Sequence, residues 1–168
     1  MPADPTPGAL RIGQGFDVHP WSEAADRVLV VGGVRFDGHR GLVGHSDADV
    51  VAHACTDALL GAAGLGDIGS FFPDTDPAYA GADSVALLAR AATAVVAAGW
   101  TPVNVDCTVI CDSPKLAPHR EAMEANIGRA IDAPASIKGK RTEGLVSLSE
   151  GMQCFAVALV AAAPSGQA

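Results

Sequence analysis

The chain carries little positive charge. Its 11 lysines and arginines stand against 19 aspartates and glutamates, which gives a formal net charge of -8. General nucleic-acid binding requires a basic surface that neutralises phosphates, so this balance argues against nucleic acid as a partner. Any phosphate chemistry here needs local positive charge instead, from a bound metal ion or from a few placed lysines and arginines.

Long hydrophobic runs and targeting patterns are also missing. The longest apolar stretches, such as the one over 155–163, are far shorter than the roughly 18 residues that span a bilayer. Residues 1–10 have no basic or apolar region, which predicts a short disordered extension and no targeting signal. We therefore predict a cytoplasmic protein with no membrane partner, a single domain over 11–163 and a flexible tail over 164–168.

Cysteine shows no pairing pattern. None of the four cysteines belongs to a CxxC motif, so buried, reduced thiols are favoured over a disulfide or a metal role. Aromatic residues make up only 5% of the chain, while 49% of it is hydrophobic. This apolar content is mainly alanine, valine and leucine, and it suits helices packed on a sheet.

Hydrophobic periodicity and turn residues predict the order β-β-α-α-β-α-β-α. We predict strands over 10–18, 28–36, 103–111 and 136–140, and helices over 46–62, 84–98, 120–131 and 151–163. Ser46, with Asp49 three residues later, resembles a capping box at the start of the first helix. The fold class is therefore α/β (α+β), with one four-stranded mixed sheet and helices on one face.

A cluster of metal-ligand residue types stands out. Asp17 and His19 are two apart at the end of the first strand, so both side chains project to one face. Asp49, His53 and Asp57 form a polar stripe on the following helix.

Two imidazoles and one carboxylate match a catalytic zinc site with one open position. In that case Asp49 and Asp57 would hold the second ring nitrogen of His53 or shape the site. The alternative is that Asp17 and His19 are ordinary strand-end polar residues and that His53 is a satisfied helix histidine.

Three long segments of the chain read RIGQGFDVHPW, GHSDADVVAHACTDALLGAAGLGDIGSFFPDTDP and NVDCTVICDSPKLAPH. In this order they resemble the 2-C-methyl-D-erythritol 2,4-cyclodiphosphate synthase family of the non-mevalonate isoprenoid pathway. The resemblance runs from about Arg11 to Val160. It implies a chorismate-mutase-like or ferredoxin-like fold and a homotrimer with active sites at the subunit interfaces. The implied cofactors are Zn²⁺ together with Mg²⁺ or Mn²⁺.

The resemblance also implies a reaction. The substrate is 4-diphosphocytidyl-2-C-methyl-D-erythritol 2-phosphate, whose 2-phosphate attacks the β-phosphorus, so that CMP leaves and a cyclic diphosphate forms. Two alternatives stay open: a zinc-dependent phosphohydrolase that activates water, and a non-catalytic trimer that binds cytidine nucleotides.

Site residues follow from the same resemblance. The zinc ligands are Asp17, His19 and His53, and Glu143 is associated with the second divalent ion. The implied catalytic residues are His45, Arg141 and Thr142. The implied substrate-binding residues are Asp17, His19, His45, Ser46, Asp67, Ile68, Gly69, Phe72, Pro73, Asp74, Thr75, Asp76, Cys111, Asp112, Ser113, Pro114, Lys115, Leu116, Ala117, Lys140, Arg141, Thr142 and Glu143.

The chain departs from the family pattern near its C-terminus. Arg141 stands where the family carries a threonine that stabilises the transition state. The arginine either stabilises phosphate charge more strongly than a hydroxyl does or obstructs the nucleotide. The stretch 146–151 is about two residues shorter than its family counterpart and lacks an arginine that lines the cavity on the trimer axis.

Overall fold

The computed structural model describes Thr6 and residues 8–163. The strands are β1 (Leu10–Pro20), β2 (Leu29–Val31), β3 (Val34–Phe36), β4 (Trp100–Ile110), β5 (Ala135–Lys140) and β6 (Gly151–Ala162). The helices are α1 (Val50–Ala63), α2 (Ile68–Phe71), α3 (Ser84–Ala97), α4 (Arg120–Ile131) and α5 (Val146–Ser149). Most of the predicted N-terminal extension and all of the predicted tail over 164–168 lie outside the described residues, and Leu10 already belongs to β1.

The main sheet has four strands in the order β1-β6-β4-β5. β4 and β5 are parallel, whereas β6 runs antiparallel to both β1 and β4. α1 packs on β1 and β6, α3 on β4, and α4 on β5. The predicted four-stranded mixed sheet with helices on one face is therefore confirmed. No helix in the described part of the chain is long and apolar enough to cross a membrane.

Two glycines allow α1 to lie directly on β1. A Cβ atom at Gly13 would lie 1.9 Å from the carbonyl oxygen of Ala58, and one at Gly15 would lie 1.9 Å from that of Ala54. Side chains alternate along a strand, so Asp17 and His19 continue the same helix-facing row. The approach of the helix to the glycines thus places the residue before Ala54, which is His53, beside the two polar strand residues.

We expect Gly15→Ala to lower the free energy of unfolding by about 2 kcal/mol or more, because the added methyl group overlaps backbone that cannot move aside cheaply. Urea denaturation at a fixed protein concentration measures this change. Gly61→Ala is the matched control: Gly61 lies in α1, and a Cβ there meets no atom within 4 Å. That control should be neutral or slightly stabilising. Equal losses in both variants would show that the close approach is not what makes Gly15 necessary.

The predicted single strand over 28–36 is wrong. The chain forms a two-stranded hairpin in which β2 pairs with β3. Gly32 and Gly33 connect the strands with φ values of 57° and 71°. Two consecutive residues with positive φ make the tight turn that suits a two-residue hairpin, and glycine adopts it without steric cost. The Gly-Gly pair was the signal for this turn.

The predicted helix over 151–163 is also wrong, because this segment is β6. β6 lies between β1 and β4, so both of its edges are hydrogen-bonded. A continuous apolar run cannot be assigned to helix or strand by hydrophobicity alone. Residue size does alternate: Ala156 and Ala158 are fully buried, while Phe155 and Val157 are 39% and 45% exposed.

The first main helix begins later than predicted. α1 starts at Val50, and its N-cap is Asp49, whose carboxylate accepts hydrogen bonds from the backbone N–H groups of Val51 and Ala52. Ser46 lies in the preceding loop and does not cap the helix. The helix predicted over 84–98 is confirmed as α3.

Candidate active site

Asp17, His19 and His53 form a candidate metal-binding site. Oδ2 of Asp17 lies 3.2 Å from Nε2 of His19 and 3.1 Å from Nδ1 of His53, and the two ring nitrogens are 3.2 Å apart. A tetrahedral ion with ligand bonds of about 2.0–2.1 Å places its ligand atoms about 3.3 Å apart. The triangle in this protein therefore fits one small tetrahedral cation with a fourth position left over.

A backbone carbonyl orients the His19 ring. Nδ1 of His19 lies 2.7 Å from the carbonyl oxygen of Val43, which accepts only, so Nδ1 carries the proton. The lone pair on Nε2 then points into the metal site. An outer partner of this kind fixes both the tautomer and the orientation of a ligand.

Two buried serines orient the His53 ring. Nε2 of His53 lies 3.0 Å from Oγ of Ser46 and 2.9 Å from Oγ of Ser84. The hydroxyl of Ser84 donates to the carboxylate of Asp47, so its lone pairs remain to accept the proton on Nε2. In the neutral form of the His53 ring, this relay from Asp47 through Ser84 keeps the proton on Nε2 and leaves the lone pair of Nδ1 for a metal. Neither Ser84 nor Asp47 was predicted from the sequence.

Asp49 and Asp57, expected to support His53, have other partners. Both carboxylate oxygens of Asp49 are taken by backbone N–H groups, including those of Gly32 at 2.8 Å and Gly33 at 2.6 Å. Burial raises the pKa of Asp49 despite these hydrogen bonds. Asp57 accepts a hydrogen bond from the backbone N–H of Ile68 at 2.7 Å. These carboxylates therefore position the β2–β3 turn and the start of α2, not the His53 ring.

The electrostatics of the cluster favour an ionised carboxylate. Burial opposes ionisation of Asp17, but hydrogen bonds and charge from His19 and His53 lower its pKa to about 2. Burial also acts to lower the pKa of His53, and the neighbouring Asp17 outweighs this effect and raises it. A proton and a metal ion therefore compete for His53, so metal uptake at this site is coupled to proton release.

The predicted substrate loop follows the helix that carries His53. Hydrogen bonds and packing contacts outside the metal cluster fix its position. His45 is exposed, and its Nε2–H donates to the carbonyl oxygen of Asp76 at 3.0 Å. Asp67 caps α2, with Ile68 and Gly69 following in that helix. Phe72 is buried against the guanidinium of Arg90. Pro73, Asp74 and Thr75 are exposed between these anchored positions.

The predicted nucleotide segment lines a cavity of about 460 Å³. Its lining includes Cys111, Asp112, Pro114, Lys115, Leu116 and Ala117 from one segment and Lys140 and Arg141 from another. Ser113 is not part of this lining and faces His39, with 3.4 Å between Oγ and Nδ1. Lys115, Lys140 and Arg141 make the rim basic in an otherwise acidic protein.

Of the remaining predicted residues, Thr142 is buried and Glu143 is exposed. The Thr142 hydroxyl donates to Asp112 at 2.6 Å, and its backbone N–H donates to the same carboxylate at 3.2 Å. These two bonds lower the pKa of Asp112, helped by the charge of Arg141. Thr142 thus ties the two cavity segments together, and its hydroxyl is engaged with a carboxylate within this chain.

The metal cluster and the cavity lie at opposite edges of one sheet. Asp17 and His19 are on edge strand β1, and Lys140 ends edge strand β5. Strand register puts both groups at the same end of the sheet, since His19 pairs with Met152 and Ile110 pairs with Gln153. With about 4.8 Å between neighbouring strands, three strand intervals separate the edges by about 14 Å. One chain therefore brings the predicted residues together as two separate groups.

Comparison with known proteins identifies the family to which the chain belongs. A sequence profile of the YgbB family matches residues 10–161. The chain belongs to the YgbB family. This YgbB chain is 57% identical over 159 residues to the 2-C-methyl-D-erythritol 2,4-cyclodiphosphate synthase of Azoarcus sp. (strain BH72), which covers 92% of this chain and 97% of that protein. The family resemblance inferred from the three motifs is confirmed.

Solved structures show the same fold. A 2C-methyl-D-erythritol-2,4-cyclodiphosphate synthase in its CDP-bound form superposes on the YgbB chain with a TM-score of 0.81 at 39% identity, covering 89% of this chain and 99% of that one. The bifunctional IspDF from Campylobacter jejuni gives a TM-score of 0.85 at 39% identity over 92% of this chain. The YgbB chain spans 43% of that longer protein.

Proposed function

We propose that this chain is a 2-C-methyl-D-erythritol 2,4-cyclodiphosphate synthase that converts 4-diphosphocytidyl-2-C-methyl-D-erythritol 2-phosphate to the cyclic diphosphate and CMP. The observation that carries the proposal is 57% identity to a named synthase over 92% of the chain. The cluster of Asp17, His19 and His53 supports it, as does the likeness to a CDP-bound synthase structure.

The three-residue cluster would hold Zn²⁺. Two imidazole nitrogens and one carboxylate oxygen suit zinc better than Mg²⁺, which prefers an octahedral set of oxygen ligands. When bound, the ion supplies Lewis acidity toward a β-phosphate oxygen of the substrate. Exposed Glu143 is the residue we assign to a second divalent ion, Mg²⁺ or Mn²⁺, on the diphosphate.

The chain's own residues then provide alignment and charge. The 2-phosphate has a second pKa of about 6, so the nucleophile is ionised at neutral pH and needs no protein base. One of its oxygens forms a bond to the β-phosphorus, and the bond from that phosphorus to the bridging oxygen breaks, so CMP departs with the electron pair. Exposed His45 and the basic rim of Lys115, Lys140 and Arg141 offset the charge on the phosphates. The cavity beside Cys111 to Ala117 receives the cytidine.

A homotrimer would join the two halves of this site. The sheet face opposite the helices keeps a row of apolar side chains exposed, and the tilted rings of Phe16 and Phe155 contact each other there with 4.6 Å between their centroids. Ile12 on this face is 73% exposed and Val18 is 49% exposed. An apolar patch of this kind is typical of a protein interface. In a closed ring, the metal cluster of one subunit faces the cavity of the next.

Incubating the purified protein with the cytidyl substrate, Zn²⁺ and Mg²⁺ tests the proposal by phosphorus NMR. The expected products are the cyclic diphosphate and one CMP per turnover, with no inorganic phosphate. Running the reaction in ¹⁸O-labelled water checks the hydrolase alternative, because only hydrolysis introduces solvent oxygen into a product. Labelled product, or CMP that never appears at any protein concentration, would overturn the assignment.

We expect Ser84→Ala to weaken Zn²⁺ binding about 10-fold, since outer partners of histidine ligands typically contribute 10–100-fold and Ser46 remains in place. Competition with a chromogenic chelator measures the affinity. Ser147→Ala is the matched control, because Ser147 is exposed in α5. If Ser84→Ala and Ser147→Ala bind zinc with equal affinity, the relay does not orient His53.

A further inference from the structure

The guanidinium of Arg27 binds one face of the segment Leu42–Ser46. Its Nε–H donates to the carbonyl oxygen of Leu42 at 2.9 Å, and Nη2 donates to that of Gly44 at 3.2 Å. Nη2 also donates to the carbonyl oxygen of Ser46. Hydrogen bonds from a charged donor are about twice as strong as neutral ones. One side chain thus fixes three alternate carbonyl groups of a loop.

The two carbonyl groups between them bind other partners. That of Val43 accepts the proton on Nδ1 of the candidate ligand His19 at 2.7 Å, and that of His45 accepts a hydrogen bond from the backbone N–H of Gly81 at 2.8 Å. Because the carbonyl groups of Leu42, Gly44 and Ser46 point toward Arg27, those of Val43 and His45 point away from it, toward their own partners. The orientation of His19 therefore depends on Arg27 through the backbone of Val43.

The same segment carries two further site residues. The His45 side chain is exposed beside the substrate loop, and the Ser46 hydroxyl contacts the His53 ring. Packing adds to the hydrogen bonds: a Cβ atom at Gly41 would lie 2.6 Å from Cγ of Arg27, so the loop lies directly on the arginine stem. Arg27 consequently influences both candidate imidazole ligands without contacting either.

We propose that Arg27 is a positioning residue that sets the geometry of the metal site and of His45 through the backbone of Leu42–Ser46. This inference rests on the proposed zinc site and synthase reaction. An arginine is required because its planar fork reaches several carbonyl groups at once, whereas the compact ammonium of a lysine cannot span them. Arg27→Lys keeps the charge and removes the fork, and Arg27→Ala removes both.

Cobalt substitution provides the main measurement. The visible absorption spectrum of bound Co²⁺ reports the ligand geometry, and chelator competition gives the affinity. We expect both Arg27 variants to bind Co²⁺ about 10–100-fold more weakly than the parent protein and with an altered spectrum. At saturating metal, kcat should fall more than KM rises. Arg35→Ala is the matched control, because Arg35 is an exposed arginine whose nearest charged partner is exposed Asp37 at 3.8 Å.

Chemical rescue separates positioning from general stabilisation. Ethylguanidinium, at concentrations that do not denature the protein, should restore part of the kcat and of the Co²⁺ spectrum in Arg27→Ala and change neither property in Ser84→Ala. If the Arg27 variants only melt at a lower temperature, with the parent Co²⁺ spectrum and kcat below the transition, the role is structural and the inference fails. If the parent protein itself binds no metal or forms no cyclic product, the proposed function fails first.

Discussion

His53→Ala will release CMP at least about 10³-fold more slowly than the parent protein. His53 supplies one of three ligand atoms in a triangle with sides of 3.1–3.2 Å, and without it Asp17 and His19 provide one ligand fewer than the three that a catalytic zinc site uses. Lewis-acid stabilisation of a phosphoryl oxygen contributes several kcal/mol, and about 4 kcal/mol corresponds to about 10³ in rate. The truncation also removes the ring nitrogen that the hydroxyls of Ser46 and Ser84 contact.

Zinc content by elemental analysis and CMP release by chromatography check this result together. His119→Ala is the control for loss of an imidazole, since His119 is exposed and its ring packs against Phe36 with 4.8 Å between centroids. Far-UV circular dichroism should be unchanged in both variants. Parent-level turnover by a zinc-free His53→Ala protein would remove the metal site from the mechanism.

Sequence reasoning located the metal cluster because strong local rules govern its parts. The i, i+2 spacing of Asp17 and His19 depends only on strand geometry, whereas the close approach of α1 at Gly13 and Gly15 is seen only in the structure. The hydrogen-bond partners of the ligands follow no such rule. Ser84 is 31 positions from His53, and Arg27 acts through carbonyl oxygens that every residue type has. Only the folded chain shows these relations.

Each of the fold errors has its origin in the local sequence. The segment 151–162 is a run of small and medium apolar residues, and its position between β1 and β4 decides its conformation. The error at the hairpin has a different origin. Gly32-Gly33 between two apolar runs is a direct turn signal, and the prediction of one continuous strand did not take it into account. Neither error affected the metal prediction, since that depends on β1 and α1.

The second prediction with a large expected effect is that two inactive variants regain activity when they are combined in one oligomer. The metal cluster lies on β1 and the basic cavity on β5, at opposite edges of a sheet. Asp17→Ala destroys the cluster and keeps the cavity. Lys115→Glu combined with Arg141→Glu reverses charge at the cavity, which should exclude a diphosphate, and keeps the cluster. Each protein alone is expected to be inactive.

Refolding the two proteins together at equal amounts should restore activity. Suppose that each site joins the metal cluster of one subunit to the cavity of the next in a closed ring. In a random mixture, half of the sites have an intact cluster and half have an intact cavity. About a quarter of the sites then have both, so the mixture should show about a quarter of the parent activity. Mixing the folded proteins without refolding is the control, because a mixed site can form only after the two kinds of subunit have been exchanged. A refolded mixture that stays inactive, while refolded parent protein recovers fully, would place both halves of the site within one chain. The separation of about 14 Å across the sheet would then have to be bridged by the substrate alone.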